Sequence, residues 1–153
     1  MAGGQRALAR TDLAFVDPVA VRGSLPAGPV TYAELFEIAP ADHPIVRTRM
    51  RGADIRRVLE EQFSGAEPTL LHVSGLSYQS GRSAPAGGRV TDIELADGRP
   101  LEPERSYTVA ASELLATGER FATLRGQNWA LRPVGTEVGA LVAEGERRPA
   151  GFR

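Results

Sequence analysis

Asp42-His43 sets a carboxylate beside a titratable imidazole, on a segment that reads as a loop ahead of Pro44. An imidazole with an ordinary pKa of about 6.5 serves as general acid or base near neutrality, and a neighbouring carboxylate can orient the ring. The plainer alternative is a surface turn before the proline. A second grouping is cationic: Arg22, Arg47, Arg49 and Arg51, whose guanidinium forks match the oxygens of phosphate or carboxylate. For Arg47 and Arg49 the alternative is a solvated strand face. His72 lies on a predicted strand, either lining a pocket or exposed.

What is missing narrows the chemistry further. All 18 basic residues are arginine, cysteine is absent and there are two histidines. That removes a thiol nucleophile, a thiolate zinc site, a disulfide framework, a Schiff-base lysine and a phosphate-loop lysine. His43 and His72 stand too far apart in sequence for an HExxH pair, so no self-contained His-based metal site and no cofactor are expected. No GxGxxG or GxSxG pattern occurs. Chemistry must come from arginine, carboxylates, hydroxyls and backbone.

These residues need a scaffold. A chain of 153 residues, 42% apolar and 24% charged, is one domain with a real core, and its net charge of −1 does not call for nucleic acid. No run approaches the roughly 20 apolar residues of a membrane span. The first residues lack a secretory signal, so the expected location is cytoplasmic if Met1 is the natural start.

The pattern predicts a helix ending near Ala9, a buried strand over 13–16, and a Gly/Pro-rich connection ending at Pro29. Thr31 and Glu34 have capping-box spacing, opening a helix that Pro40 ends, with Tyr32 and Phe36 as core candidates. Alternation over 45–51 puts Arg47, Arg49 and Arg51 on one strand face and Val46, Thr48 and Met50 on the other. Residues 53–63 read as a helix with Ile55, Val58, Leu59 and Gln62 on one side. Strands are expected over 70–73, 76–78, 90–95 and 107–111, helices over 112–116 and 136–143. Residues 80–88 read as a long hairpin loop, Trp129 as an anchor for the C-terminal segment, and 144–153 as a flexible tail beyond a single domain over 1–143. The expected class is α+β, a mixed β-sheet with packed helices.

Taken in order, DLAFVDPVAVRGSLPAGPVTYAELFEIAP, MRGADIRRVLEEQF, LLHVSGLSYQ and GGRVTDIELADGRPLEPERSYTVAASELLATGERF resemble the C-terminal domain of the 5′-nucleotidase and UDP-sugar hydrolase family. In that family a separate N-terminal domain carries a two-metal centre, and the C-terminal domain supplies the nucleotide pocket. The resemblance implies a ligand-binding domain without its own hydrolytic machinery, completed by a metallophosphoesterase chain or domain elsewhere.

The resemblance also implies site residues. The family's Asn-Gly-Gly-Gly-Ile-Arg loop aligns with the segment from Asp17 to Arg22, keeping the arginine and losing the glycines. Arg51 matches a basic residue common before the next helix. Leu70 and Leu114 stand where the family clamps a base between aromatic rings. Glu119 meets the acidic residue of a Gly-Gly-Asp-Gly-Phe segment, here one residue shorter, and the Pro-Phe-Gly-Asn loop becomes Pro40-Ala41-Asp42-His43. The expected ligand is nucleotide-like or another small anion, bound by Asp17, Arg22, Arg51, Leu70, His72, Leu114 and Glu119. The alternative is a repurposed isomerase or cyclase using Asp17, Asp42, His43 or Glu119 in an apolar pocket. A homodimer through the face that a metal domain would cover is a further expectation.

Overall fold

Short apolar runs separated by Gly and Pro leave little room for long elements, and the computed structural model, which describes residues 1–20, 22–23, 31–81 and 83–147, is built from short strands and helices. Helix α1 (Ala2–Ala9) leads into β1 (Leu13–Val16), all four residues of which are buried. A 3-10 turn follows at Pro18–Ala20. Helix α2 (Tyr32–Ile38) opens on the predicted capping box: the Thr31 side chain accepts the Glu34 N–H and the Glu34 carboxylate accepts the Thr31 N–H. Next come β2 (Pro44–Arg51) and α3 (Gly52–Glu61), then β3 (His72–Ser74) and a hairpin of β4 (Leu76–Ser80) and β5 (Val90–Leu95). The chain continues through β6 (Ser106–Ser112), α4 (Glu113–Thr117), α5 (Ala122–Arg125), β7 (Ala130–Thr136) and α6 (Glu137–Arg147).

Five strands form one mixed sheet in the order β3-β1-β6-β2-β7, and β4 and β5 form a separate two-stranded sheet. Among the described residues only β1 and β6 run parallel; β3 pairs antiparallel to β1, and β2 lies antiparallel between β6 and β7. The main core lies on the face of Phe15, Val46, Met50 and Val109, where Ile55, Val58 and Leu59 of α3 pack with Leu115, Phe121 and Leu124. Each such fully buried side chain contributes about 1.5–3 kcal/mol. The opposite face is covered more thinly, by Ala9 of α1 and Ala140 of α6 over Ala14, Ile45 and Ala110. A third cluster joins Leu35 and Ile38 of α2 to Val138 and Leu141 of α6.

Gly75 and Gly4 are among the glycines fixed by close approach to backbone. At Gly75, φ is +93° and a Cβ would lie 2.1 Å from the Asp12 carbonyl oxygen, so the turn from β3 into β4 admits no side chain. At Gly4 a Cβ would fall 1.9 Å from the Ala140 carbonyl oxygen, because α1 and α6 pack backbone to backbone there; its N–H also donates to the Glu144 carboxylate.

Several expectations change. Tyr32 and Phe36 are not core: they are 65% and 37% exposed and meet each other edge to face, centroids 5.1 Å apart, while Leu35 and Ile38 take the buried side of α2. Strand β3 begins at His72 rather than 70, since Leu71 is held back by its N–H donating to the Gln62 Oε1 at 2.7 Å. The predicted C-terminal helix does not stop at 143 but runs to Arg147. The end of the predicted Gly/Pro-rich connection, at Pro29, and the part of the predicted tail beyond 147 lie outside the described residues. Strand β7 and helix α5 are not legible in the pattern. Trp129 is buried, its Nε1 donating to the Leu124 carbonyl at 2.8 Å, and so joins α5 to the start of β7.

Candidate functional site at one end of the sheet

Strand direction decides which residues can meet. The C-terminal ends of β1 and β6 lie together because the two strands are parallel. The start of β2 joins them, Ile45 pairing with Ser112, as do the start of β3, His72 pairing with Val16, and the end of β7, Thr136 pairing with Pro44. The loops leaving these ends therefore form a rim.

Asp17 follows β1 directly at that rim. Its carboxylate caps the 3-10 turn, Oδ1 accepting the Val19 N–H at 3.0 Å, and pairs with the Arg120 guanidinium at 3.1 Å. That ion pair ties the end of β1 to the loop after α4 that carries Glu119, which is exposed. Arg22 is exposed, and its N–H donates to the Ile38 carbonyl at 2.9 Å, fixing the loop to the end of α2. His72 is exposed at the first position of β3. Leu70 and Leu114, 49% and 55% exposed, approach the rim from the segment before β3 and from α4. Helix α4 starts there because Ser112 accepts the Leu115 N–H as its N-cap.

Asp42 and His43 lie on the same rim, held by α6. Asp42 adopts φ +41°, a left-handed conformation that Asp tolerates better than most residues, and its Oδ1 accepts the Val138 N–H at 2.8 Å. It thus caps α6. His43 contributes backbone: its N–H donates to Glu137 Oε2 at 3.2 Å and its carbonyl accepts the Glu137 N–H at 3.1 Å.

Glu137 is the functional-type residue the sequence did not disclose. It is 3% exposed, at the start of α6. Burial pushes its carboxyl above the ordinary value, against the lowering pull of the His43 N–H and the His43 charge, with the Asp42 carboxylate adding to the rise. The signal available beforehand was only an acidic residue at a predicted helix start, which is also an ordinary dipole-stabilising choice.

Arg51 does not join this rim. It pairs with Ser106, at the opposite end of the β2–β6 ladder from Ile45–Ser112, and the strand rise of about 3.3 Å per residue sets those ends roughly 20 Å apart. Its guanidinium instead faces Glu104 at 3.7 Å, both side chains exposed. Arg22 and Arg51 therefore cannot close on one small anion. Arg47 and Arg49 are exposed on the second face of β2, as alternation predicted.

Among the described residues, no group of three or more His, Asp or Glu side chains converges to hold a metal ion. The donor set among the described residues does not fit a two-metal centre. Among the described residues no helix is long and apolar enough to cross a membrane.

Known proteins are similar to this chain in sequence and in fold. The chain is 28% identical over 117 residues to endonuclease YhcR of Bacillus subtilis (strain 168), covering 76% of this chain and 9% of that protein. It is 29% identical over 118 residues to protein UshA of Salmonella pullorum, covering 72% of this chain and 20% of that one. The crystal structure of a 5′-nucleotidase precursor from Thermus thermophilus superposes with a TM-score of 0.82 at 26% identity, covering 99% of this chain and 33% of that chain. The chain thus spans a third or less of each of these relatives, and in each the match is to one part of a longer protein. The family model described as the 5′-nucleotidase C-terminal domain matches residues 1–125, and this chain belongs to that family.

Proposed function

We propose that this domain holds a nucleotide-like or other small anionic ligand at the rim formed by the ends of β1, β6 and β2, as the ligand-binding part of a phosphoester hydrolase whose metal centre lies in other sequence. The observation that carries this reading is convergence. Segments scattered over the chain, containing Asp17, Arg22, Leu70, His72, Leu114 and Glu119, adjoin strand ends that the mixed topology gathers on one side.

In this reading Arg22 takes the ligand's anionic group, since its guanidinium is exposed and has no carboxylate within ion-pair distance among the described residues. The Asp17–Arg120 pair sets the position of the loop beside it. Leu70 and Leu114 offer apolar contact to the remainder of the ligand. A leucine has no π-face, so a base bound here forgoes the stacking energy of about 1–3 kcal/mol that an aromatic clamp supplies.

The test is a thermal-shift titration with AMP, a UDP-sugar and aliphatic carboxylates. Ligand at 100 times its Kd raises stability by about 2.7 kcal/mol, which such a scan resolves. AMP or the UDP-sugar is expected to stabilise the protein, and Arg22→Ala to weaken that binding at least tenfold. No stabilisation by any nucleotide, or unchanged affinity in Arg22→Ala, would sink the reading. Phosphate release from AMP with added divalent metal is expected to stay at background for this chain alone.

A further inference from the structure

We propose that the open face of the five-stranded sheet, framed by Arg10, Arg47 and Arg49, is a second anion site, and that it takes a compact polyanion of the pyrophosphate class. Helices α1 and α6 cover this face only over Ala14, Ile45 and Ala110. Beyond them the face opens into a groove of about 620 Å³ lined by Arg10, Arg47, Arg49, Thr108, Asn128 and Ala130, a volume within the range of small-molecule sites.

The groove is cationic by construction. Arg47 and Arg49 project from the same face of β2, about 7 Å apart. Arg10 enters from the start of β1, two strands away, across Thr108 of β6, which pairs with Arg49. None of the three arginines has a carboxylate within ion-pair distance among the described residues, whereas Arg51, Arg57, Arg99, Arg105 and Arg120 each have one. Asp12, outside the groove lining, has its Oδ2 occupied by the Thr108 N–H at 2.8 Å and the Thr108 hydroxyl at 2.7 Å.

Arg10 is placed by the end of α1. It caps that helix in the left-handed conformation, φ +52° and ψ +52°, its N–H donating to the Ala7 carbonyl at 3.2 Å, and this fixes where its side chain leaves the backbone.

The dimensions select the ligand class. Arg10, just before β1, and the β2 pair Arg47 and Arg49 start two strands apart, roughly 10 Å at the backbone, a spacing that suits linked phosphates. Among the described residues no aromatic side chain lines the groove, and Trp129 is buried with its Nε1 already donating to Leu124, so a nucleic-acid strand would find none of them on which to stack its bases.

Isothermal titration of the whole chain at fixed ionic strength tests this, with pyrophosphate, orthophosphate, citrate and a single-stranded oligonucleotide as probes. Pyrophosphate is expected to bind at least tenfold more tightly than orthophosphate or citrate. The double variant Arg47→Ser/Arg49→Ser is expected to weaken it at least tenfold, and Arg57→Ser, which removes an exposed arginine of α3 outside both regions, to leave it within twofold. Arg10→Gly, which fits the backbone and relaxes it, should weaken pyrophosphate binding while keeping the fold. Unchanged affinity in the double variant or in Arg10→Gly would overturn the proposal. So would equal binding of orthophosphate or citrate, or an oligonucleotide that binds more tightly than pyrophosphate.

Discussion

Asp42, His43 and Glu137 show how neighbouring groups divide their work. Asp42 spends an oxygen on the Val138 N–H and His43 contributes its backbone to Glu137, so the pair singled out for acid–base chemistry anchors α6. Asp42→Ala is expected to cost about 1 kcal/mol, the ordinary worth of a helix cap, read as a lower urea midpoint. Glu137 carries a pH signature. Burial holds its folded pKa above the ordinary glutamate value of 4.5, so it favours the folded state while protonated. That contribution is complete below pH 4.5 and is lost as pH rises through the folded pKa. Glu137→Gln keeps an oxygen for the His43 N–H and removes the charge. Its Tm is expected to exceed that of the unaltered protein at about pH 8, with the difference closing by about pH 4, in calorimetric scans at both values. A lower Tm for the variant at the higher pH would mean that the ionised carboxylate stabilises the fold.

At the scale of elements, α1 and α6 illustrate a contact that hydrophobic pattern does not announce. They pack closely because Gly4 has no side chain to hold them apart from the Ala140 carbonyl. Gly4→Ala places a methyl group where backbone stands, and overpacking of this kind costs about 1–3 kcal/mol. A denaturant midpoint unchanged in Gly4→Ala would show that the helices can separate without loss. Strand β2 is the other instructive element. Its alternation made the faces legible, yet a strand also has two ends, and Arg51 lies at the end remote from Asp17, Arg22 and His43. Sharing a strand with a site residue is not sharing a site.

For the molecule as a whole, the fold offers two separate regions: a rim at the ends of β1 and β6, and an arginine-lined groove on the face beyond α1 and α6. Changes at Arg22 and at Arg47 with Arg49 touch no common partner. Their effects on unfolding free energy are expected to add within about 0.5 kcal/mol in the combined variant, measured by urea titration. A larger deviation would show that the loop after β1 and the open sheet face are coupled through the sheet.

The sequence by itself determined the elements whose signals are local. The capping box at Thr31 and Glu34, the buried run of β1 and the alternation of β2 each follow from a few adjacent residues, and each is where the pattern put it. The family was legible in the same way, because its segments keep their order along the chain. Only the tertiary structure decided which residues keep company. Strand direction separated Arg51 from Arg22, burial against the Asp42–His43 segment turned Glu137 into a perturbed carboxyl, and solvent reached Tyr32 and Phe36 because α2 buries only its Leu35 and Ile38 side. These outcomes depend on pairings between distant segments, and no local spacing encodes the direction in which two strands will meet.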